Sequence, residues 1–164
     1  MPSTTDHRPE RVQHVARGDQ LTPNQLYQLL QLRVRVFVVE QECPYPELDG
    51  RDLAPTTRHL WSTEPGDDTP LACLRLLEEA DGSVRVGRVC TALSARGTGQ
   101  GRRLMTAALA EVGDRDTVLD AQTRAKGFYA AFGYAQCGPE YLEDGIPHVP
   151  MRRPAASTRT GVPG

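Results

Sequence analysis

The chain has 164 residues, of which 38% are hydrophobic and 24% are charged, and its formal net charge is −2. This length suits one domain with its own core, and the composition excludes collagen, a coiled coil or disorder throughout. The charge lacks the basic excess of a dedicated nucleic-acid module, and no apolar run is long enough to span a membrane. We therefore expect a globular protein that acts on neither nucleic acid nor membranes.

The two ends of the chain differ in composition from its middle. Residues 1–10 are polar and contain proline. They lack the apolar core of a secretory signal, so a cytoplasmic location is expected. Residues 154–164 are rich in Pro, Gly, Ser and Thr. We predict a flexible leader at 1–10, one domain at 11–153 and a flexible tail at 154–164.

The cysteines and histidines show no spacing typical of a metal site. No C-x-x-C pair occurs, so neither a zinc site nor a thioredoxin-type site is indicated, and the histidines have no paired spacing. No metal is therefore expected. In a reducing cytosol the cysteines are predicted to be free thiols that pack as small hydrophobic groups. They are Cys43, Cys73, Cys90 and Cys137.

A helix is predicted early in the chain. Thr22 and Gln25 form a Thr-x-x-Gln capping box, and Pro23 suits the first helical turn. Apolar residues at helical spacing continue to about Val39. The two prolines in segment 43–46 cannot continue the helix, so a loop follows.

The remaining elements predict a mixed α/β domain with a largely antiparallel start and a β-loop-α-β centre. Asp81-Gly82 is a turn signal that joins two strands in a hairpin. In its second arm Val84 and Val86 share one face but Val89 falls on the other, which predicts a β-bulge near residues 87–89. Strands are predicted at residues 11–16, 59–63, 71–77, 84–91, 118–122, 134–137 and 149–152, and further helices from the glycine-rich segment to Gly113 and at 125–132.

The glycine-rich segment 96–101, Arg-Gly-Thr-Gly-Gln-Gly, lies between a predicted strand and a predicted helix. Glycines let the backbone approach a ligand closely, and unpaired N–H groups at a helix start bind phosphate. A Walker loop is excluded because no Lys-Ser/Thr pair follows. Three interpretations stay open: a pyrophosphate loop of the form R/Q-x-x-G-x-G, a dinucleotide loop served by Asp120, and a plain glycine turn.

Several segments together resemble the GNAT superfamily of acetyl-CoA-dependent N-acetyltransferases. Besides the loop, residues 128–134 are similar to the family's F-Y-x-x-x-G-[FY] segment. The resemblance covers residues 11–153 and implies a single domain with a mixed, largely antiparallel central sheet flanked by helices. It also implies transfer of an acetyl group from acetyl-CoA to a primary amine by direct attack in a ternary complex. Segments 33–41, 43–45, 49–50 and 143–148 are similar to the ElaA-like branch.

The resemblance further implies how the coenzyme is held. The glycine-rich loop would bind the pyrophosphate, and residues 89–91 would pair with the pantetheine arm as an added strand. A bulge there would leave an N–H that stabilises the oxyanion. The implied coenzyme-binding residues are Val89, Cys90, Thr91, Arg96, Gly97, Thr98, Gly99, Gln100, Gly101, Arg102 and Phe128.

Proton transfer has four candidate residues, one acid and three bases. Tyr129 resembles the family's general acid, because a phenol is protonated at neutral pH; the alternative is an aromatic residue of the core. Glu40 is the first candidate for the base that takes the amine proton, and His148 is the second. His59 is a third candidate for the base. For each base candidate the alternative is a solvated or locally satisfied side chain.

Other features leave alternatives open. The acceptor is a small molecule or a protein amine, and a homodimer is expected only by the resemblance. A non-catalytic acyl-CoA sensor would share the glycine-rich loop. Glu47, Asp49 and Asp52 either attract a cationic amine or form solvated surface, and we favour the second interpretation. Trp61 is expected in the core.

Overall fold

A computed structural model describes residues 10–159 of the protein. Within these residues, eight strands form one sheet. The strands are β1 (Val12–Arg17), β2 (Arg58–Thr63), β3 (Ala72–Glu78), β4 (Val84–Thr91), β5 (Thr117–Gln122), β6 (Ala135–Gln136), β7 (Tyr141–Glu143) and β8 (Ile146–Arg153). The α-helices are α1 (Pro23–Val34), α2 (Gln100–Val112), α3 (Lys126–Ala130) and α4 (Ala156–Arg159).

The sheet is mixed but mostly antiparallel, which confirms the predicted fold class. Its strand order is β1-β2-β3-β4-β5-β8-β6, and β7 pairs with β8. Every pair is antiparallel except β4 with β5, which run parallel because α2 crosses over between them. The parallel pair lies near the middle of the sheet, and the site described below lies there.

The helices α1 and α2 cover opposite faces of the sheet. Successive side chains of a strand point to opposite faces, so Leu60 packs in the cluster with α2 while the adjacent Trp61 packs with α1. Leu74 and Cys73 divide in the same way. Strands β2 and β3 are therefore apolar on both faces, and the prediction that Trp61 lies in the core is confirmed.

The predicted start of the first helix is confirmed in detail. The Thr22 hydroxyl accepts from the Gln25 N–H, and the Gln25 side chain accepts from the Thr22 N–H. After α1 the chain continues as a π-helix at Arg35–Glu40. The π-helix ends shortly before Pro44 and Pro46 restrict the backbone, and Glu40 at its end pairs with Arg96.

The hairpin β3–β4 contains the predicted bulge. Cys73 pairs with Cys90 and Arg75 pairs with Gly87, so two residues of β4 face one residue of β3. Arg88, the first of these two, has a positive φ of 53°. This is the two-against-one arrangement that defines a β-bulge.

The end of the domain differs from the predictions. Residues 149–152 belong to the longer strand β8, which forms a hairpin with β7 around the turn at Asp144-Gly145. Strand β7 was not predicted because its three residues are exposed and show no apolar alternation. The prediction of four packed thiols is wrong for Cys137, which is exposed, while the other three are buried.

The predicted leader and tail are described only in part. Ala155, within the predicted tail, is buried, and its N–H donates to Asp116 at 2.7 Å. Residues 1–9 and 160–164 lie outside the described part of the chain. Between residues 10 and 159, no helix is long and apolar enough to cross a membrane.

Candidate active site

A cavity of about 980 Å³ opens where β4 and β5 separate. It is bounded by the second half of β4, the end of β5, the glycine-rich loop, α3 and the β7–β8 turn. Of the predicted site residues, all but Thr98 and His59 line it. The Thr98 hydroxyl instead donates to the Ala95 carbonyl and accepts from Arg11. The fold thus gathers residues that are up to 108 positions apart, from Glu40 to His148.

The wall formed by β4 exposes a backbone edge. Strand β5 pairs with β4 only at Val84 and Arg85. Within residues 10–159, no strand pairs with that edge of β4 farther along, and residues 86–91 line the cavity. A backbone edge without a partner can take an extended ligand as an added strand.

The glycine-rich loop forms an uncapped helix start at the end of that edge. Gly97 and Gly99 have φ values of 75° and 81°, which other residues rarely adopt. Gly99 precedes α2, and no described side chain caps the helix there. The first intrahelical bond runs from the Arg103 N–H to the Gly99 carbonyl. The N–H groups of the preceding turn are therefore available to an anion, with Arg102 beside them.

Tyr129 lies on α3 in a mostly apolar environment. Its ring makes edge contacts with Phe128, at 5.0 Å between centroids, and with Tyr134, at 6.1 Å. Burial is the main cause that raises the pKa of Tyr129 well above its usual value. The phenol therefore keeps its proton at neutral pH, and it faces the cavity.

The three candidate bases are in different environments. His148 Nδ1 lies 2.7 Å from the Ile146 carbonyl, which can only accept, so Nδ1 is the donor and the neutral imidazole would have its lone pair on Nε2. Glu40 is paired with Arg96 at 2.6 Å. His59 does not reach the cavity: it is buried, Nε2 contacts the Asp52 carbonyl, and burial lowers its pKa. The prediction of His59 as a base is wrong, since no substrate reaches a side chain buried at this position.

A buried ion cluster lies under the cavity and was missed by the sequence analysis. Arg33, with 2% of its surface exposed, donates to Glu47 at 2.7 Å and to Asp52 at 2.6 Å. Arg75 donates to Asp52 at 3.0 Å and to Asp49 at 2.9 Å. The interpretation of this acidic loop as solvated surface is therefore wrong for its two buried carboxylates, because guanidinium groups compensate them. Arg75, a lone charge in an apolar strand, was the signal for the cluster.

The cluster shifts the acidity of its aspartates. A hydrogen bond from Arg75 holds the pKa of Asp49 well below its usual range. Burial alone would raise the pKa of Asp52, but hydrogen bonds and charge from Arg33 and Arg75 outweigh it, so the net shift is downward. Both carboxylates are thus ionised in the folded protein at neutral pH.

A known family matches this chain. The model of the acetyltransferase (GNAT) domain covers residues 56–154. A UPF0039 protein of Mycobacterium tuberculosis is 56% identical over 135 residues, which are 80% of this chain and 85% of the relative. The chain belongs to the GNAT acetyltransferase family. ElaA of Escherichia coli is 40% identical over 140 residues, 82% of this chain and 90% of that protein.

A solved structure agrees with this membership. An acyl-CoA N-acyltransferase from Pseudomonas aeruginosa superposes with a TM-score of 0.83 at 42% identity, covering 88% of this chain and 99% of that one. The family and this similarity support acyl-CoA-dependent N-acyltransferase activity for this chain. The mixed sheet also removes the dinucleotide interpretation, which requires a doubly wound parallel sheet. Asp120 instead pairs with Arg85 at 2.6 Å.

The buried cluster predicts a specific dependence of stability on pH. An aspartate whose pKa is lowered by folding stabilises the protein above its unfolded pKa of about 4 and loses this contribution as the pH falls through the folded pKa. Asp52→Asn should lower the free energy of unfolding at pH 7 by about 3–5 kcal/mol, because Arg33 and Arg75 lose a buried partner. Its stability should also change less on acidification.

Urea unfolding at pH 7 and at pH values below about 4 measures both effects. Asp68→Asn, at an exposed aspartate outside the cluster, is the matched control and should behave as the wild type. An equal loss of stability on acidification in Asp52→Asn and the wild type would contradict the prediction.

Proposed function

We propose that the protein transfers an acetyl group from acetyl-CoA to a primary amine in a ternary complex. One observation supports this most strongly. The unpaired edge of β4 leads directly to the uncapped start of α2, and both lie in the cavity that holds Tyr129. An extended arm, a diphosphate and a reacting centre would occupy these three places in that order.

The residues fit the coenzyme at both of its ends. The backbone of residues 86–91 would pair with the pantetheine arm. The N–H groups at the start of α2 and the Arg102 guanidinium would hold the diphosphate. Phe128 lies beside Gly101, 3.5 Å from where a Cβ would stand, and closes the cavity there. Acetyl-CoA supplies an activated acyl group as a thioester.

Two groups of the chain would act at the thioester. The bulge in β4 takes two residues out of register with β3, so a backbone N–H there can stabilise the negative charge that develops on the carbonyl oxygen. The phenol of Tyr129 would donate a hydrogen bond to the departing sulfur. Since its pKa is raised, Tyr129 carries its proton until the sulfur departs and would then pass that proton to the thiolate.

Direct attack by the amine is supported by the state of the cysteines. Cys90 lines the cavity, but its hydrogen bond with Cys73 and its burial raise its pKa well above the usual value. Burial raises the pKa of Cys43, whose thiol donates to the Asp144 carbonyl. Neutral thiols are poor nucleophiles, so an acyl-enzyme on either residue is disfavoured.

The geometry supports His148 as the base more than Glu40. The imidazole of His148 is oriented by the hydrogen bond that Nδ1 donates, and the Glu143 carboxylate lies 4.0 Å from Nε2. Glu40 is compensated by Arg96, and releasing it costs that ion pair. Glu40 is thus the second candidate, which reverses the order expected from the sequence.

Calorimetry and single-turnover assays test the proposed function directly. The purified protein should bind CoA, and acetyl-CoA should be consumed with at least one member of a panel of amines, with the product identified by mass spectrometry. Tight binding of CoA without transfer to any amine would instead support a sensor. An absence of CoA binding would contradict the proposal.

Gly101 provides a test of the diphosphate site without backbone strain. Its φ is not in the left-handed region, and an added Cβ would meet only ordinary contacts. Gly101→Ala should leave the fold intact or stabilise α2 by up to about 1 kcal/mol. It should weaken CoA binding at least about ten-fold, because the methyl group enters the cavity where the phosphate approaches.

The measurement is calorimetric titration of CoA together with thermal unfolding. Gly127→Ala is the matched control, since Gly127 lies in α3, does not line the cavity, and has open space around its Cβ position. A Gly101→Ala variant that binds CoA as tightly as the wild type would contradict the assignment.

Tyr129→Phe should lower kcat by about 10²-fold or more, because a positioned proton donor contributes on that order. CoA affinity should stay unchanged, since the ring remains in place. In the wild type, the raised pKa of Tyr129 predicts no loss of rate from its deprotonation up to about pH 10.

Tyr134→Phe is the control for the loss of a buried hydroxyl. The Tyr134 hydroxyl accepts from Thr117 at 2.7 Å and does not line the cavity. This variant should lose about 1 kcal/mol of stability but keep its kcat. Equal kcat values for Tyr129→Phe and the wild type would remove Tyr129 from the reaction.

His148→Gln should lower kcat by about 10²-fold, whereas Glu40→Gln should lower it by less than about ten-fold, because only the imidazole has an uncommitted lone pair. The assay uses the amine found active in the screen. His14→Gln is the control, since His14 stacks on Trp61 outside the cavity. The reverse order of the two losses would assign the base to Glu40.

A further inference from the structure

Arg88 adopts a backbone conformation that its side chain does not favour. Its φ is 53°, in the left-handed region that Gly and Asn enter most readily. With Val89 it faces the single residue Leu74 across the bulge. Such a conformation persists only where the surroundings determine it. The contacts of the Arg88 side chain should therefore show what holds the bulge.

The Arg88 guanidinium is held by Glu47. Its Nε lies 2.9 Å from Glu47 Oε2, and its Nη2 donates to the Glu47 backbone carbonyl at 3.1 Å. The group also lies over the ring of Tyr45, 5.7 Å from the centroid. The Tyr45 hydroxyl donates to the same carboxylate at 2.6 Å. Glu47 thus binds both the guanidinium and the ring that covers it.

The Glu47 side chain is buried and is also held by an arginine of α1. It is 3% exposed, and Arg33 of α1 donates to its Oε1 at 2.7 Å. The same arginine donates to Asp52, which also accepts from Arg75. Arg75 lies on β3 directly opposite Gly87, at the other side of the bulge. One loop therefore holds a guanidinium from each of the two strands that form the bulge.

We propose that Glu47 is a positioning residue for acyl transfer. Through Arg88 it keeps the bulge in the conformation that presents the N–H groups of residues 89 and 90 to the acyl carbonyl. This inference rests on the proposed function, since it assigns a task to the bulge of that site. Arg88 and Cys90 line the cavity, whereas Glu47 does not, so Glu47 acts through Arg88.

A purely structural role makes different predictions from a positioning role. If the cluster only stabilises the fold, variants that remain folded should keep kcat. If it positions the bulge, kcat should fall while CoA binding persists, because the glycine-rich loop that would hold the charged end of the coenzyme does not depend on Arg88. The backbone amides of the bulge should also change in the protein without ligand.

Arg88→Gly is the most informative variant. Glycine accepts the positive φ without strain, so the backbone loses its anchor but is not forced into another conformation. Arg88 is partly exposed, with 22% of its side chain accessible. Its removal takes a partner from Glu47, which keeps Arg33, and from Asp49, which keeps Arg75. Glu47→Gln is the second variant, and it removes the charge from the other partner.

The expected result is a fall in kcat of at least about ten-fold in both variants, with Kd for CoA within about two-fold of the wild type. In ¹H–¹⁵N spectra of the ligand-free protein, the amide signals of Val89 and Cys90 should shift or broaden. Arg115→Gln, which removes an ion pair with Glu78 far along the sheet, is the control and should change neither readout.

Two results would overturn the inference: unchanged amide signals of Val89 and Cys90 in Glu47→Gln, or a kcat within about two-fold of the wild type in a folded variant. If the wild type neither binds CoA nor transfers an acyl group, the proposed function fails. The spectra of the ligand-free variants then still decide whether Glu47 and Arg88 hold the bulge. The experiment therefore distinguishes a failure of the proposed function from a failure of the inference about Glu47.

Discussion

Strand β4 pairs with β5 at only two residues, Val84 and Arg85, and beyond them its backbone edge is left for another partner. Backbone N–H and C=O groups without a partner are costly when buried, so a separation of this kind persists where a ligand or water satisfies them. The cavity, the exposed edge and the position of the glycine-rich loop all follow from this separation. The helix α2 begins beyond the end of this edge, so an uncapped helix start and an unpaired backbone edge line the same cavity.

A cluster of buried charges lies beside the bulge in β4. Arg33, Glu47, Asp52 and Arg75 are all less than a tenth exposed, and each has a partner of opposite charge. Buried ion pairs stabilise little relative to apolar packing, but breaking one costs much. Here the ion pairs determine geometry. Guanidinium groups hydrogen-bond in fixed directions, so they hold the loop that contains Glu47 and Asp52 in one position against α1 and both strands of the bulge.

Short sequence patterns, which need no knowledge of tertiary contacts, predict most of the fold. The capping box at Thr22, the turn at Asp81-Gly82 and the break in alternation at Val89 act over a few residues, so the sequence predicts them directly. The short exposed strand β7 has no such signal. The glycine-rich loop and the segment that contains Tyr129 could likewise be predicted, because family resemblance depends on contiguous motifs.

The sequence by itself therefore determined most of the elements, the fold class and the position of the glycine-rich loop, since each depends on neighbouring residues. Only the tertiary structure decided which charges meet. Glu40 pairs with Arg96 across 56 positions and Glu47 with Arg88 across 41, and no local pattern indicates such pairs. A carboxylate has the same appearance in a sequence whether solvent or a guanidinium compensates it, and its partner is known only once the chain has folded.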